Sequence, residues 1–245
     1  MKKDGRSPWA TGPGEILRHG LGLLRTDSDT NRRLAMIAID NAVELMVKTY
    51  LGLPKRITGL QINRKEYQEV AESFPSLLDA LEKHAPTKLD GIDLGTIEWY
   101  HRLRNELYHQ GNGLTVERDK VEIYAELANV LFRNLFGEEL VEHRSARTEL
   151  LGEFLAAWVE LERGLRELAS THSLLGTVPP GMLDVMRQLQ GTGIIEAREI
   201  AEINELRKAR NEIAHGRARW EHSLNPEMVG RVKHYAKRFS EDDAA

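Results

Sequence analysis

Along most of this chain apolar residues recur three and four apart, the spacing of helices with one buried face. The segment NRRLAMIAIDNAVELMVKTYL sets the pattern. Leu34, Ile37, Ala38 and Leu45 fall near one face, and Met36, Val43, Met46, Val47 and Tyr50 widen it. Asp40, Glu44 and Lys48 form a polar line at i, i+4 spacing. Thr30 suits the N-cap, and Gly52 and Pro54 stop the helix. The same logic predicts helices over 15–24, 65–72, 75–84, 96–109 and 116–136, with 55–65 as loop and Thr115 as a cap. In the second half it predicts helices over 150–169, 182–190, 195–215 and 226–239, the last opened by Asn225 and Pro226. Alternating β-branched runs are missing, so the expected fold class is all-α.

Residues 1–14 hold three glycines and two prolines and read as a flexible tail. The charged stretch EELVEHRSAR ends without an apolar stripe and marks the expected boundary between helical bundles at 15–140 and 148–240. One continuous helix bridging the halves is the other reading.

Composition narrows the chemistry. The 245 residues allow one large domain or two. The absence of cysteine excludes disulfides, thiolate zinc sites, iron–sulfur clusters and cysteine nucleophiles. A net charge of -4 gives no overall basic footprint for nucleic acid, though one local patch can hold a phosphate. No apolar run nears the ~20 residues that cross a bilayer. The first residues carry two lysines without an apolar core behind them, so the expectation is a cytoplasmic protein with no membrane association.

The two halves share a motif. The first contains Arg104-Asn105-Glu106-Leu107-Tyr108-His109 and the second Arg210-Asn211-Glu212-Ile213-Ala214-His215, 106 residues later. Each reads Arg-Asn-Glu-apolar-x-His, and each has glycine within two residues, Gly111 and Gly216. The doubling suggests tandem duplication. Residues five apart on a helix differ by about 140° around its axis, whereas four apart share a face. Asn105 therefore lies on the face of His109, and Asn211 on that of His215. At a helix end each histidine can turn toward a neighbouring element.

Such residues suit RNA cleavage without a metal. Histidine can take the proton of a ribose 2′-hydroxyl or give one to the leaving 5′-oxygen. Arginine can hold the phosphate as charge develops on it, and asparagine can fix the histidine or bond the phosphate. The stretch LRKARNEIAHGRARW carries five basic residues and one acidic, and Lys208, Arg217 and Arg219 are its candidate RNA contacts. His101 and His109, eight apart, make no metal pair, and GTG at 191–193 lacks the Gly-Lys-Ser/Thr of a phosphate loop. No metal and no cofactor are expected. Trp99, Trp158 and Trp220 read as core or interface residues rather than base-stacking platforms.

The Arg-Asn-x-x-x-His pattern at a helix end within a bundle of four or five helices resembles the HEPN superfamily. The segment DNAVELMVKTYLG resembles the early helix of such domains. The resemblance spans about residues 15–137 and 148–240, two tandem HEPN-like bundles. It implies a metal-independent endoribonuclease whose site joins two motifs, paired within one chain or across a homodimer, with Arg104, Asn105, His109, Arg210, Asn211 and His215 as the matching positions. It also implies an RNA substrate, a toxin or phage-defence setting, and a homodimer or an antitoxin or effector as partner. Family members silenced by a nucleotidyltransferase often carry tyrosine two residues past the histidine, where this chain has Gly111 and Arg217. The rival expectation is a non-catalytic RNA- or nucleotide-binding or scaffolding protein, with both histidines acting as helix caps.

Overall fold

The computed structural model describes residues 7–26, 28–109, 115–140, 148–174 and 181–241, apart from the side chains of His109 and Glu241. Among these residues are twelve α-helices, one 3-10 turn and no strand. The chain forms two compact units, Met1–His143 and Arg144–Ala245. Residues 141–147, where a linker or a bridging helix was expected, lie outside the described residues.

The first unit comprises α1 (Pro8–Arg25), α2 (Asp29–Gly52), α3 (Lys55–Thr58), α4 (Arg64–Val70), α5 (Phe74–His84), a 3-10 turn (Pro86–Leu89), α6 (Leu94–His109) and α7 (Arg118–Phe136). Helix α2 is the hub, packed by α1, α5, α6 and α7. Neighbours on several sides rotate its buried face away from the expected one. Met36, Ile39, Val43, Met46 and Val47 are fully buried, while Leu34 is 45% exposed and Ile37, Ala38 and Leu45 are half-buried. The cap is Ser28 rather than Thr30, its Oγ accepting the Asn31 N–H at 3.1 Å. The N-cap of α7 is Glu117 rather than Thr115, and the helix begins at Arg118. The expected loop at 55–65 contains the single turn of α3.

The flexible tail expected over 1–14 is corrected in its second half. Helix α1 begins at Pro8, a first-turn position where a missing N–H costs no hydrogen bond. It runs through Pro13 and buries Ala10, Pro13, Gly14, Leu17 and Gly20. The Ser7 N–H donates to Glu138 Oε1 at 2.6 Å and ties the start of α1 to the segment after α7. Gly and Pro read locally as coil, but packing outweighs propensity in a helix this well covered. Gly20 permits the closest approach: a Cβ there would stand 2.9 Å from Ile39 Cγ1.

The second unit comprises α8 (Glu149–Thr171), α9 (Met182–Gly191), α10 (Ala197–Ala214), α11 (Trp220–Ser223) and α12 (Pro226–Glu241). Helices α8 and α12 form its main pair, and Phe154, Trp158, Leu161, Leu165, Val232 and Phe239 lie at its centre. A polar ladder fixes α10 to α12. Glu199 accepts from Arg238 Nε at 2.6 Å, Glu202 from the Tyr235 hydroxyl at 2.7 Å, and Glu205 from Arg231 at 3.4 Å.

Seven of the ten buried positions of α2 recur in α8 at an offset of 122 residues, Asp40, Tyr50 and Leu51 being the exceptions. Ala35, Met36, Ile39, Ala42, Val43, Met46 and Val47 correspond to Ala157, Trp158, Leu161, Gly164, Leu165, Leu168 and Ala169, all buried. The motif helices are offset by only 106, because the first unit places α3, α4, α5 and the 3-10 turn where the second has α9.

Replacing Gly20 by Val should lower stability by about 1–3 kcal/mol, since the added methyls must displace Ile39. Gly22→Ala should stabilise by about 0.5–1 kcal/mol, because a Cβ there meets nothing within 4 Å and helix propensity alone acts. Urea unfolding of the two variants beside the parent protein checks both signs.

Candidate functional site

The first motif lies on the last turns of α6 and is anchored to α2 by a carboxylate. Asp40 was read as part of an i, i+4 polar line with Glu44 and Lys48, and it is fully buried. Only Glu44 and Lys48 of that line form a partly exposed pair, at 2.5 Å. A charge taken out of water needs partners on every side, and Asp40 has three. Its Oδ1 accepts from the Tyr124 hydroxyl of α7 at 2.8 Å. Its Oδ2 lies 2.9 Å from His101 Nδ1 and 3.4 Å from Arg104 Nε, both on α6. A carboxylate only accepts, so Nδ1 of His101 carries the hydrogen.

The ring environment reinforces this arrangement. Tyr100 stacks on Tyr124 with centroids 4.5 Å apart, and Phe74 packs on His101 at 4.3 Å. Burial first, then the neighbouring Asp40 charge, pushes the Tyr124 phenol well above its ordinary pKa. Tyr124 therefore stays a donor throughout the physiological range.

Arg104 reaches from this buried carboxylate to the surface. Its Nη1 donates to Asn105 Oδ1 at 2.8 Å and its Nη2 to Asn41 Oδ1 at 2.6 Å, and its side chain is 18% exposed. These contacts engage two of the five guanidinium N–H groups, and Nε, 3.4 Å from Asp40 Oδ2, is buried without a hydrogen bond. The Tyr108 ring, one turn on, lies 5.4 Å from the guanidinium carbon. Glu106 is exposed. His109 is the last residue of α6, but its side chain, like Gly111 behind it, lies outside the described residues.

The second motif repeats one part of this geometry. Arg210 Nη1 donates to Asn211 Oδ1 at 3.1 Å, the bond that joins Arg104 to Asn105. Arg210 itself is buried, at 4% exposure, so it does not present its guanidinium to solvent as Arg104 does. The α8 position matching Asp40 is Glu162, which accepts from Trp158 Nε1 at 2.7 Å and lies 3.6 Å from Arg166.

His215 is the C-cap of α10, half-buried, and a Schellman turn places it there. The Gly216 N–H bonds Ile213 O at 2.8 Å and the Arg217 N–H bonds Glu212 O at 2.9 Å. Gly216 has φ +60°, left-handed backbone that suits glycine.

Of the candidate RNA contacts, Lys208, Arg217 and Arg219 are all exposed, with Arg217 3.6 Å from Glu212. Trp158 and Trp220 are core residues and Trp99 is half-buried against Tyr100. Among the described residues no group of three or more His, Asp or Glu side chains could hold a metal ion, and no helix is long and apolar enough to cross a membrane.

Asp40, Asn41, His101 and Tyr124 were not singled out as site residues from the sequence. An Asp-Asn pair inside an otherwise apolar run, MIAIDNAV, was the available signal for Asp40 and Asn41. His101, three residues before Arg104, shares its helix face.

Asp40→Ala should destabilise the first unit by about 3 kcal/mol or more, because it strips the carboxylate from buried partners. Tyr124→Phe should cost about 1 kcal/mol, and the double variant less than the two losses added, since both act on one network. Urea unfolding curves check the three values. Acid tests the second unit. The Arg238 hydrogen bond holds the Glu199 carboxyl below its ordinary value of 4.5, against an opposing push from burial. A carboxyl lowered on folding stabilises above its unfolded pKa, and that contribution is lost as pH falls through the folded value. Unfolding should therefore become easier below about pH 4.5, and Glu199→Gln should flatten that dependence in denaturant titrations between pH 3 and 6. No protein-family model, curated protein or solved structure matches this chain, so the reading of the site rests on its own residues.

Proposed function

We propose that this protein is a metal-independent endoribonuclease of the HEPN kind, acting through both motifs. The observation that carries the reading is one local arrangement found twice. In each unit an arginine at the end of a long helix donates through Nη1 to the asparagine that follows it, and a histidine stands four residues beyond that asparagine, where the helix ends.

In the proposed reaction a histidine removes the proton of the ribose 2′-hydroxyl. The 2′-oxygen then bonds to phosphorus, the bond from phosphorus to the 5′-oxygen breaks, and that oxygen takes a proton from a second histidine. The products end in a 2′,3′-cyclic phosphate and a 5′-hydroxyl. His109 and His215 carry the proton transfers. The Arg104 guanidinium holds the phosphate while its charge rises. Asn105 and Asn211 orient the arginines, and Lys208, Arg217 and Arg219 meet flanking phosphates. A toxin or phage-defence setting follows from the HEPN resemblance.

One observation favours a second reading. The buried Arg210 suits a structural part in the core better than direct contact with a phosphate. On that reading the chain binds RNA or a protein without cutting it.

Total and tRNA-enriched RNA, incubated in EDTA with the parent protein and with Arg104→Ala, His109→Ala and His215→Ala, separates the two. The parent should yield cyclic-phosphate ends, and each variant should lose at least about a hundredfold in rate with its helical circular dichroism unchanged. Activity that disappears in EDTA, or that survives all three substitutions, overturns the mechanism. RNA binding without cleavage by the parent establishes the second reading.

A further inference from the structure

We infer that Tyr108 is a stacking platform for an unpaired RNA base beside the phosphate held by Arg104. The inference rests on the nuclease reading for the phosphate, and on exposure and geometry for the ring.

Tyr108 is 62% exposed, the most exposed large apolar side chain among the described residues. It stands in the motif, one turn from Arg104, and the arginine's guanidinium carbon lies 5.4 Å from its ring centre. Arg104 is held from below by Asp40 and from the sides by Asn41 and Asn105, so the ring has a fixed cation at one side. A ring so placed and so exposed can take a flat π-surface, and a nucleobase supplies one. Base and phosphate are joined through one ribose, so an aromatic ring and an arginine one helical turn apart match adjoining parts of a single nucleotide.

This arrangement calls for a single strand. In a duplex the base faces are stacked on one another and the ring cannot reach them. The second motif carries no such group: the position matching Tyr108 is Ala214, which is fully buried. Base contact is therefore a property of the first unit, and it orients the strand relative to the scissile bond.

The test uses a fluorescein-labelled single-stranded RNA 12-mer and the same sequence paired with its complement. Dissociation constants and cleavage kinetics are measured for the parent chain, Tyr108→Ala and Tyr108→Phe. With the single strand, Tyr108→Ala should raise the dissociation constant and KM about tenfold and change kcat by less than about twofold, while Tyr108→Phe behaves as the parent. With the duplex, the alanine variant should bind as the parent does. Equal single-strand binding by parent and alanine variant overturns the inference. So does a phenylalanine variant as impaired as alanine, because the hydroxyl and not the ring would then be the contact. If the parent binds RNA without cutting it, the nuclease reading fails, and the ring dependence of the dissociation constant still decides the stacking.

Discussion

The architecture of the first unit turns on one buried carboxylate. Asp40 sits in α2 with no access to water, and an ion in that position is tolerated only when its oxygens are satisfied from within. Its partners come from two other helices: Tyr124 from α7, and His101 with Arg104 from α6. Satisfying the charge therefore fixes three helices against one another, and it fixes the motif helix at the two positions nearest the candidate chemistry. The aromatic groups around it, Tyr100 on Tyr124 and Phe74 on His101, exclude water and keep those interactions strong.

The second unit reaches a similar placement by other means. Its motif helix, α10, is tied to α12 by three acidic side chains spaced three apart, each meeting a donor on the facing helix. The Schellman turn at Gly216 then sets where the helix ends and His215 stands. Both motif arginines bond the asparagine next to them, yet one reaches the surface and the other is enclosed. The same six-residue pattern thus sits in two different electrostatic settings. In the first its arginine is partly open to solvent; in the second its arginine belongs to the interior.

Much of the fold could be read in the chain because the helices are long, amphipathic and separated by Gly, Pro and capping residues. The helical class follows from periodicity alone, and Asn225 caps α12 as expected, its Oδ1 accepting the Met228 N–H at 2.8 Å. What could not be read depends on neighbours distant in sequence. The first turns of α1, residues 8–14, contain Gly and Pro that argue locally for coil, and the packing of α1 on α2 and α7 carries the helix through them. The buried side of α2 is set by the number of helices around it, which spacing does not encode, so Leu34 stands outside and Asp40 within. The motif residues were legible as residues, while the depth at which each arginine sits was not. That depth is set by Asp40 and Asn41 in one unit and by the core in the other, and neither partner set adjoins the motif in sequence.

Gly20 has a role beyond bringing two helices together. The residue it admits to close contact is Ile39, the peptide neighbour of Asp40. The first helix supplies no candidate catalytic group, yet it acts as a depth gauge. Where Ile39 seats against the bare backbone of α1, the next residue's carboxylate is held at the level of Tyr124 and Arg104. Bulk added at that seat would be transmitted as a displacement of an ion some twenty residues away in sequence, and through it to the guanidinium. The helix that supplies no candidate catalytic group thus lies against the residue next to the carboxylate on which the candidate site is built.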